Sequence, residues 1–324
     1  MLTADFEYTL PEELIASEPL PDRSASRMMV VHRDTGIIEH RRFSDLPSYA
    51  QPGDLFVLND SRVVPARFFS ADGSREILRL EALSPTKWRC MVRPGKRFRL
   101  GHTLTIGDAT GTVIAIAENG DRTLDFDHPV DVETHGHLPL PPYMQREDRQ
   151  SDRERYQTVY AREEGSIAAP TAGLHFTPEV LAQIPHTFVT LHVGVGTFQP
   201  VKADRVEDHT MHTERYTLSS ESAEQISNAK RVIAVGTTAS RVLESVYRKH
   251  GRIVAEAGET DIFIHPPYTF GCVNALLTNF HLPKSSLIML VSALAGRELI
   301  MKAYAEAIAE RYRFYSYGDC MLIL

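Results

Sequence analysis

The chain has 324 residues, of which 43% are hydrophobic and 24% are charged. This length fits one large domain or two ordinary ones, and the composition is typical of a globular protein with a sizeable core. No run of about 18 apolar residues is present to cross a membrane, and the formal net charge of −7 argues against a uniformly basic nucleic-acid-binding surface.

The N-terminal residues and the cysteines indicate the compartment. Residues 1–16 are acidic and lack a basic segment followed by an apolar one, so we predict no signal peptide. The three cysteines, Cys90, Cys272 and Cys320, are far apart and odd in number, which argues against a disulfide framework and against a four-cysteine zinc site. We therefore predict a cytoplasmic protein.

The first 62 residues mix a short helix signal with strands. Residues 11–15 (PEELI) form the helix signal, and the apolar runs at residues 28–32 and 55–58 are typical of strands. The sequence QPGD at residues 51–54 predicts a turn before the second strand.

Residues 63–150 have a different rhythm. Short alternating runs, punctuated by Gly, Asp or Pro every 8 to 12 residues or so, predict a small β-barrel or sandwich. These runs lie at residues 75–83, 88–92, 102–106, 111–117 and 123–126. The sequence LPLPPY at residues 138–143 and the charged stretch at residues 145–155 mark a domain boundary.

Strands and helices alternate in the rest of the chain. Strands are predicted at residues 187–192, 231–236 and 320–324, and helices at residues 220–230, 238–250, 285–294 and 298–313. Such alternation predicts a layered α/β sheet. The predicted fold is an α/β domain formed by residues 1–62 and 151–324, with a small β-barrel domain of residues 63–150 inserted into it.

A basic cluster lies inside the predicted barrel. Its six members, with no acidic residue among them along the chain, are Lys87, Arg89, Arg93, Lys96, Arg97 and Arg99. Such a cluster in an acidic protein predicts a surface that faces phosphates. The alternative is an ordinary solvated strand face, which the stretch by itself favours.

Four loops are candidates for the functional site. Residues 169–178 (APTAGLHFTP) present His175, a residue type able to act as acid or base near neutral pH, although a lone histidine is more often structural. Residues 191–200 carry Gly194 and Gly196 after a predicted strand; a lone Gly-x-Gly equally suits a tight turn. Residues 235–241 lead from a strand into a helix start, where backbone N–H groups bind anions or are capped by a hydroxyl. Residues 278–286 form a polar loop containing Phe280, whose ring suits adenine or sulfonium binding, or core packing.

Metal chemistry has little support in the sequence. The close pairs His135 with His137 and His209 with His212 lack nearby cysteines and an HExxH arrangement, so we predict no metal. The residues by themselves thus predict an α/β and β-barrel protein, an enzyme with a small-ligand cleft, and leave its reaction open.

The same segments resemble a known family nearly end to end. The sequence is similar to the S-adenosylmethionine:tRNA ribosyltransferase-isomerases of queuosine biosynthesis. The matching stretches are LPEELIA (10–16), Asp22 with ASR (25–27), PGDLFVLNDSRVVPAR (52–67), VRPGKR (92–97), LPLPPY (138–143), YQTVYA (156–161), GSIAAPTAGLHFT (165–177), LHVGVGTFQPV (191–201), MHTERY (211–216), AVGTTASRVLES (234–245), LLTNFHLPKSSLIMLVSALAG (276–296) and YRFYSYGDCMLI (312–323).

The resemblance implies a fold and an activity. The fold is an α/β domain interrupted by a six-stranded barrel. The activity moves the ribosyl part of S-adenosylmethionine, a co-substrate, onto 7-aminomethyl-7-deazaguanine in tRNA. The ribose isomerises to give epoxyqueuosine, and adenine and methionine leave. A monomer is the family expectation, with no prosthetic group.

This chemistry needs acid–base groups and binding groups. The predicted catalytic residues are His175, His192, Glu214 and Asp60, because a C5′ hydrogen, the attacking amine and the leaving adenine all exchange protons. The predicted substrate-binding residues are Arg27, Asn59, Arg62, Thr171, Gly173, Gly194, Gly196, Thr197, Thr237, Thr238, Arg241, Asn279 and Phe280. In this family the basic cluster is expected to hold tRNA phosphates.

Some positions depart from the family pattern. Pro267 and Asn274 stand where Gly and Asp are more usual, and the segment at residues 69–79 lacks a usual glycine-rich insert. If that insert contacts tRNA, tRNA affinity or choice is expected to differ, whereas the core motifs are intact and activity is expected to be kept. Two alternative functions are a non-catalytic tRNA-binding protein and an S-adenosylmethionine-dependent methyltransferase. The acidity argues against the first, and the surroundings of Gly194 argue against the second.

Overall fold

The computed structural model describes residues 1–144, 146–194 and 201–324. The chain forms two compact units: residues 1–62, 142–145 and 154–324 make the first, and residues 63–141 and 146–153 make the second. The strands are β1 Arg27–His32, β2 Ile37–Arg42, β3 Asp54–Asn59, β4 Ser61–Val63, β5 Arg67–Phe69, β6 Glu76–Ala82, β7 Lys87–Arg93, β8 Thr103–Ile106, β9 Ala109–Ile116, β10 Arg122–Phe126, β11 Glu163–Ser166, β12 His186–Leu191, β13 Glu214–Leu218, β14 Arg231–Val235, β15 Glu256–Thr260, β16 Ala275–Asn279 and β17 Cys320–Ile323.

The helices are shorter in total than the strands. They are α1 Val132–His135, α2 Asp152–Arg155, α3 Pro178–Leu181, α4 Ser220–Asn228, α5 Gly236–His250, α6 Ser286–Ala295 and α7 Arg297–Ala309. No helix among the described residues is both long and apolar enough to cross a membrane.

The first unit is built on a nine-stranded mixed sheet. Its strand order is β15-β13-β12-β3-β14-β16-β17-β1-β2. The central strands β12, β3, β14 and β16 are parallel neighbours, and β17 runs parallel to β1 but antiparallel to β16. Because all four central strands run the same way, their carboxyl ends meet at one edge, where ligand sites of open α/β sheets form.

Both faces of this sheet are buried, which explains its continuous apolar runs. Every residue of β3 is buried. Leu55 and Val57 belong to the core on one face, whereas Phe56 and Leu58 belong to the core on the other. Alternation of this kind follows from the two-residue period of a strand, so a single run of apolar residues supplies both cores.

Local signals set the ends of the longer helices. The side chains of Ser219 and Ser285 cap α4 and α6 by accepting backbone N–H bonds. Helix α5 ends at His250 and is followed by Gly251, whose φ of +68° is the left-handed conformation that glycine adopts without strain.

The second unit contains a six-stranded antiparallel sheet, nearly closed like a barrel, with the order β5-β6-β7-β10-β9-β8. Its core is aromatic at the centre: the ring of Trp88 lies 4.8 Å from the rings of both Phe68 and Phe126, measured between centroids. Trp88 and Cys90 point inward from β7, and Arg89 and Met91 point outward. The alternating pattern of this region therefore packs one face of each strand into a single core.

The predicted α/β fold with a barrel-like sheet is confirmed, whereas the insertion of one domain into the other stays a prediction. The predicted turn at residues 51–54 is present, with Asp54 N donating to Gln51 O at 3.0 Å. The predicted helix at residues 298–313 was too long, because α7 ends at Ala309 and Arg311 adopts a φ of +54°. Strands β2, β4, β5, β11, β13, β15 and β16 were not predicted, since they are short or lack a clean apolar or alternating run.

Two departures from the family pattern have a structural explanation. Asn274 Oδ1 accepts the Val232 N–H at 2.8 Å, a role that a carboxylate oxygen also fills. The short segment between β5 and β6 closes as a tight turn, in which Ser70 N donates to Arg75 O at 2.9 Å. The side chain of Asp72 accepts from Ser74 N at 3.0 Å, so the turn is stabilised without an insert.

Candidate functional site

A cleft that is partly open to solvent lies in the first unit, and its empty space, open solvent included, is about 760 Å³. It forms where several separate segments meet around the ends of β14 and β16. Its lining consists of Tyr143, Ala168, Ala169, Pro170, Thr171, Ala172, Val193, Gly236, Thr237, Thr238, Thr278, Asn279, Phe280, His281, Leu282, Ser285, Leu287, Tyr315 and Ser316.

The first turn of α5 forms one wall of the cleft. Strand β14 passes into the 15-residue helix at Gly236, whose φ of +88° suits glycine. No side chain caps this helix at Val235. Gly236, Thr237 and Thr238 all line the cleft, so the uncapped N–H groups and the positive end of the helix dipole lie beside its empty space. This wall favours an anionic group in the ligand.

Asn279, the last residue of β16, presents an unsatisfied acceptor beside the cleft. Its Nδ2 donates to Tyr315 O at 3.1 Å and lies 3.1 Å from Nε2 of His175. Its Oδ1 is buried and has no hydrogen-bond partner. A buried unpaired carbonyl oxygen costs free energy, and Asn279 lines the cleft, so this oxygen is a candidate acceptor for a ligand N–H that comes within reach of it.

The position of His175 behind Asn279 fixes its protonation. Because Asn279 Nδ2 faces acceptors, His175 Nε2 accepts, and Nδ1 then carries the proton and faces Ser26 Oγ at 2.9 Å. Burial, followed by the charges of Arg23 and Arg313, lowers the pKa of His175 to about 3. At neutral pH the imidazole is therefore uncharged and has both nitrogens bonded. His175 lines a second, smaller cavity instead of the cleft.

Asn59 ties the central strands to the cleft. Its Oδ1 accepts from Leu191 N at 3.0 Å, while its Nδ2 donates to Leu191 O at 3.0 Å and to Thr238 Oγ1 at 3.2 Å. The side chain is fully buried. Asn59 thus holds β3 against β12 and orients Thr238 in the cleft wall, without lining the cleft itself.

Glu214 and Arg241 form a buried ion pair. Glu214 Oε2 is bonded to Arg241 Nη1, and Glu214 Oε1 accepts the Gly194 N–H at 2.9 Å. Nη2 of Arg241 is buried and has no hydrogen-bond partner. The pair fixes the start of the loop after β12, since removing one member would leave the other charge buried.

Asp60 and His192 lie at the same edge of the sheet. Asp60 Oδ2 accepts from Arg162 Nη2 at 2.7 Å, and Asp60 Oδ1 accepts from the Thr190 hydroxyl at 2.7 Å. His192 Nδ1 lies 2.9 Å from Ser61 Oγ. Burial, then the charge of Arg215, lowers the pKa of His192. This half-buried imidazole is therefore uncharged at neutral pH.

The structure brings part of the predicted site together. Of the predicted substrate-binding residues, five line the cleft: Thr171, Thr237, Thr238, Asn279 and Phe280. Arg27 instead stacks on Tyr312, with its guanidinium carbon 3.8 Å from the ring centroid. Arg62 is exposed and faces Glu164 at 3.8 Å. Gly173 is buried against Tyr160, and Gly196 and Thr197 lie outside the described residues.

Several cleft residues were missed by the sequence reasoning. They are Tyr143, Thr278, His281, Ser285, Tyr315 and Ser316. The rings of Tyr143 and Tyr315 lie 4.6 Å apart at the cleft wall. Burial lowers the pKa of His281 to about 3. Thr278, His281 and Ser285 belong to a loop chosen for its polar and aromatic content, but nothing in the sequence places Tyr143 beside Tyr315.

The basic cluster of the second unit is partly neutralised across its strands. Lys87 faces Asp125 at 3.4 Å, and Arg89 faces Glu81 at 3.3 Å. Both acids lie on neighbouring strands, so the linear sequence did not show them. Arg97 donates to the Ser74 carbonyl at 3.2 Å.

Within the described ranges, no group of three or more His, Cys, Asp or Glu residues is arranged to hold a metal ion. The three cysteines are free thiols, and burial raises the pKa of each.

Comparison with known proteins gives one consistent family. The sequence model of the queuosine biosynthesis protein family matches residues 3–323. The chain is 50% identical to the S-adenosylmethionine:tRNA ribosyltransferase-isomerase of Symbiobacterium thermophilum and 48% identical to that of Desulforamulus reducens, over 100% of both chains in each pair. It is also similar to the crystal structure of S-adenosylmethionine tRNA ribosyltransferase from Thermotoga maritima, with 39% identity, a TM-score of 0.56, and coverage of 99% of this chain and 100% of that one.

Proposed function

The chain belongs to the queuosine biosynthesis protein family, and we infer that it is an enzyme with the activity for which its relatives are named, an S-adenosylmethionine:tRNA ribosyltransferase-isomerase. The observation that carries this conclusion is identity of about half of all positions along the full length of both chains. The cleft supports it, because its lining offers both an acceptor and uncapped N–H groups to a polar ligand.

The finer proposal concerns the two substrates. S-adenosylmethionine is the co-substrate, and the acceptor is 7-aminomethyl-7-deazaguanine within a tRNA. The sulfonium acidifies the C5′ hydrogens, so removal of one proton starts the rearrangement. The unprotonated amine forms a bond to a ribosyl carbon, adenine takes up a proton as it leaves, and the C5′–S bond breaks with its electron pair going to sulfur, which releases methionine. Because the reacting base is normally stacked in RNA, it leaves its stack to reach the enzyme.

The proposed cleft contacts follow from its chemistry. The methionine carboxylate binds at the N–H groups of Gly236–Thr238, where the helix dipole favours negative charge. Asn279 Oδ1 accepts from an amino group of the ligand. The rings of Tyr143 and Tyr315 provide flat faces that attract a sulfonium or stack on adenine.

Roles for the predicted catalytic residues stay proposals. The bonding and the lowered pKa of His175 favour a positioning role, in which the imidazole holds Asn279, over proton transfer. The neutral imidazole of His192 suits a base. Two positions further along the chain, the Gly194 N–H is bonded to Glu214 of the buried Glu214–Arg241 ion pair. The ion pair of Asp60 with Arg162 favours a structural role for that carboxylate.

Product analysis tests the activity. The protein is incubated with S-adenosylmethionine and with tRNA that carries 7-aminomethyl-7-deazaguanine, and small molecules are identified by mass spectrometry. We expect adenine and methionine together, and only with the modified tRNA. S-adenosylhomocysteine would instead identify a methyltransferase, and tRNA binding without turnover would identify a binding protein.

A variant tests the cleft. Asn279→Ala is expected to weaken S-adenosylmethionine binding about ten-fold, since one hydrogen bond to a charged group contributes about 1.5 kcal/mol. Asn228→Ala, at the exposed end of α4, is the matched control. Equal affinities of the two variants, measured by calorimetry on folded protein, would remove Asn279 from the binding site. The cytoplasmic location and the monomeric state stay predictions.

A further inference from the structure

A second, smaller cavity adjoins the cleft in the first unit and is partly open to solvent; its empty space, open solvent included, is about 260 Å³. Its lining consists of Pro19, Leu20, Arg23, Ser26, Arg155, Leu174, His175, Ser316, Tyr317 and Gly318. Ser316 lines both cavities, and His175 of this cavity lies 3.1 Å from Asn279 of the cleft. The two cavities are therefore neighbours that share one layer of side chains.

The charge of this second cavity is unbalanced. Arg23 and Arg155 both line it, and among the described residues no carboxylate does. Neither arginine forms an ion pair with any carboxylate in the described part of the chain. The exposed Glu154 acts on Arg23 only at longer range; burial first, and the charge of Arg155 second, lower the pKa of the Arg23 guanidinium. Two partly buried like charges are costly unless an anion joins them.

The two guanidiniums are held in place with donors to spare. Arg23 Nη1 donates to Leu174 O at 3.1 Å and Nη2 donates to Glu154 O at 2.9 Å. Arg155 Nη2 donates to Leu20 O at 2.6 Å. Each guanidinium has five N–H donors, so several remain for a ligand. Carbonyl partners fix the position of both groups without cancelling their charge, which is the arrangement that binds an oxyanion.

His175 contributes shape and no charge to this cavity. Its Nδ1 proton is directed at Ser26 Oγ, and the Ser26 hydroxyl lies 3.2 Å from the carbonyl of Arg23. The chain of bonds from Asn279 through His175 and Ser26 to Arg23 therefore connects the wall of the cleft to one of the two arginines.

We propose that the Arg23–Arg155 cavity is a phosphate subsite, which holds a backbone phosphate of the tRNA beside the cleft in which the base reacts. That the phosphate belongs to a tRNA rests on the proposed function. In a nucleotide the base and the phosphate are joined through one sugar, so a base that reacts at the cleft carries its own backbone phosphate close by, within reach of an adjacent cavity suited to an oxyanion. The subsite would orient the target nucleotide, and the basic cluster of the second unit is not needed for that contact.

The test compares tRNA binding by the wild-type protein, Arg155→Gln, Arg155→Lys and the control Arg252→Gln. Arg252 is exposed and lines neither cavity. Dissociation constants are measured with modified tRNA across a series of KCl concentrations. We expect Arg155→Gln to weaken binding about ten-fold and to lower the slope of log K against log salt by about 0.7 to 0.9, the loss of one phosphate contact. Arg155→Lys should keep the slope, because it keeps the charge.

Three outcomes would overturn the proposal. In the first, Arg155→Gln and Arg252→Gln give the same affinity and slope. In the second, Arg155→Gln weakens S-adenosylmethionine binding while tRNA binding is unchanged, which would assign the oxyanion to the methionine carboxylate. In the third, Arg155→Lys lowers the slope of log K against log salt as much as Arg155→Gln does, which would show that the positive charge at this position does not bind a phosphate. Failure of the wild-type protein to release adenine would instead contradict the proposed function, and it is read from a separate assay.

Discussion

Replacing His175 by glutamine separates a positioning role from proton transfer. A glutamine amide can accept from Asn279 and donate to Ser26, as the imidazole does at 3.1 Å and 2.9 Å, but it cannot titrate. We therefore expect His175→Gln to retain most of the turnover, with any loss appearing in the KM for S-adenosylmethionine. His175→Ala should lose much more, because it leaves a cavity and removes both bonds.

The lowered pKa of His175 sets how much stability the folded protein loses in acid. The pKa of His175 is lowered from 6.5 to about 3. The folded protein therefore takes up this proton only at a pH well below the one at which the unfolded chain takes it up. Stability is therefore fully present above pH 6.5 and falls as the pH falls toward 3. One pKa unit is about 1.4 kcal/mol, which makes the loss about 2 kcal/mol by pH 5. His281 has the same lowered pKa and adds a similar loss to the wild-type protein.

The assay is urea unfolding at pH 7 and at pH 5. The wild-type protein should lose about 4 kcal/mol from the two histidines and His175→Gln only about 2 kcal/mol. Equal losses would show that the His175 imidazole titrates normally in the folded protein. A glutamine variant that is folded yet as inactive as the alanine variant would refute the positioning role and restore proton transfer.

Other predictions follow from single contacts. Glu244→Gln should lower the free energy of unfolding by about 3 kcal/mol, because the buried carboxylate of Glu244 accepts three backbone N–H bonds and one tyrosine hydroxyl. The control Glu224→Gln, on the exposed surface of α4, should change it little, and urea unfolding of both variants tests this. Gly173→Ala should lower the free energy of unfolding by at least about 2 kcal/mol, since the added Cβ would lie 2.1 Å from the buried hydroxyl of Tyr160. An unchanged melting temperature would contradict this packing. Arg99→Gln should lower the salt slope of tRNA binding more than Arg89→Gln, whose guanidinium already faces a carboxylate at 3.3 Å; the reverse order would contradict the assignment of phosphates to this cluster.

The sequence by itself determined the family and part of the local structure. Strand β3 could be predicted because a strand buried on both faces needs a continuous apolar run, and α4 and α6 because a serine hydroxyl caps each. The alternating runs of the second unit predicted its barrel-like sheet, because each of these strands turns one face to the core and the other face away from it. Long ordered matches then gave the activity, which no local pattern specifies.

Only the tertiary structure decided the composition of the cleft. Tyr143 and Tyr315 are 172 positions apart in the chain, yet their rings lie side by side, because the order of strands in a sheet is set by long-range packing. The tertiary structure also decided which charges are paired, because the acids that face Lys87 and Arg89 come from neighbouring strands. His175 looked like an acid–base group in sequence, and its burial between Ser26 and Asn279 is what makes it uncharged, since desolvation disfavours the charged form.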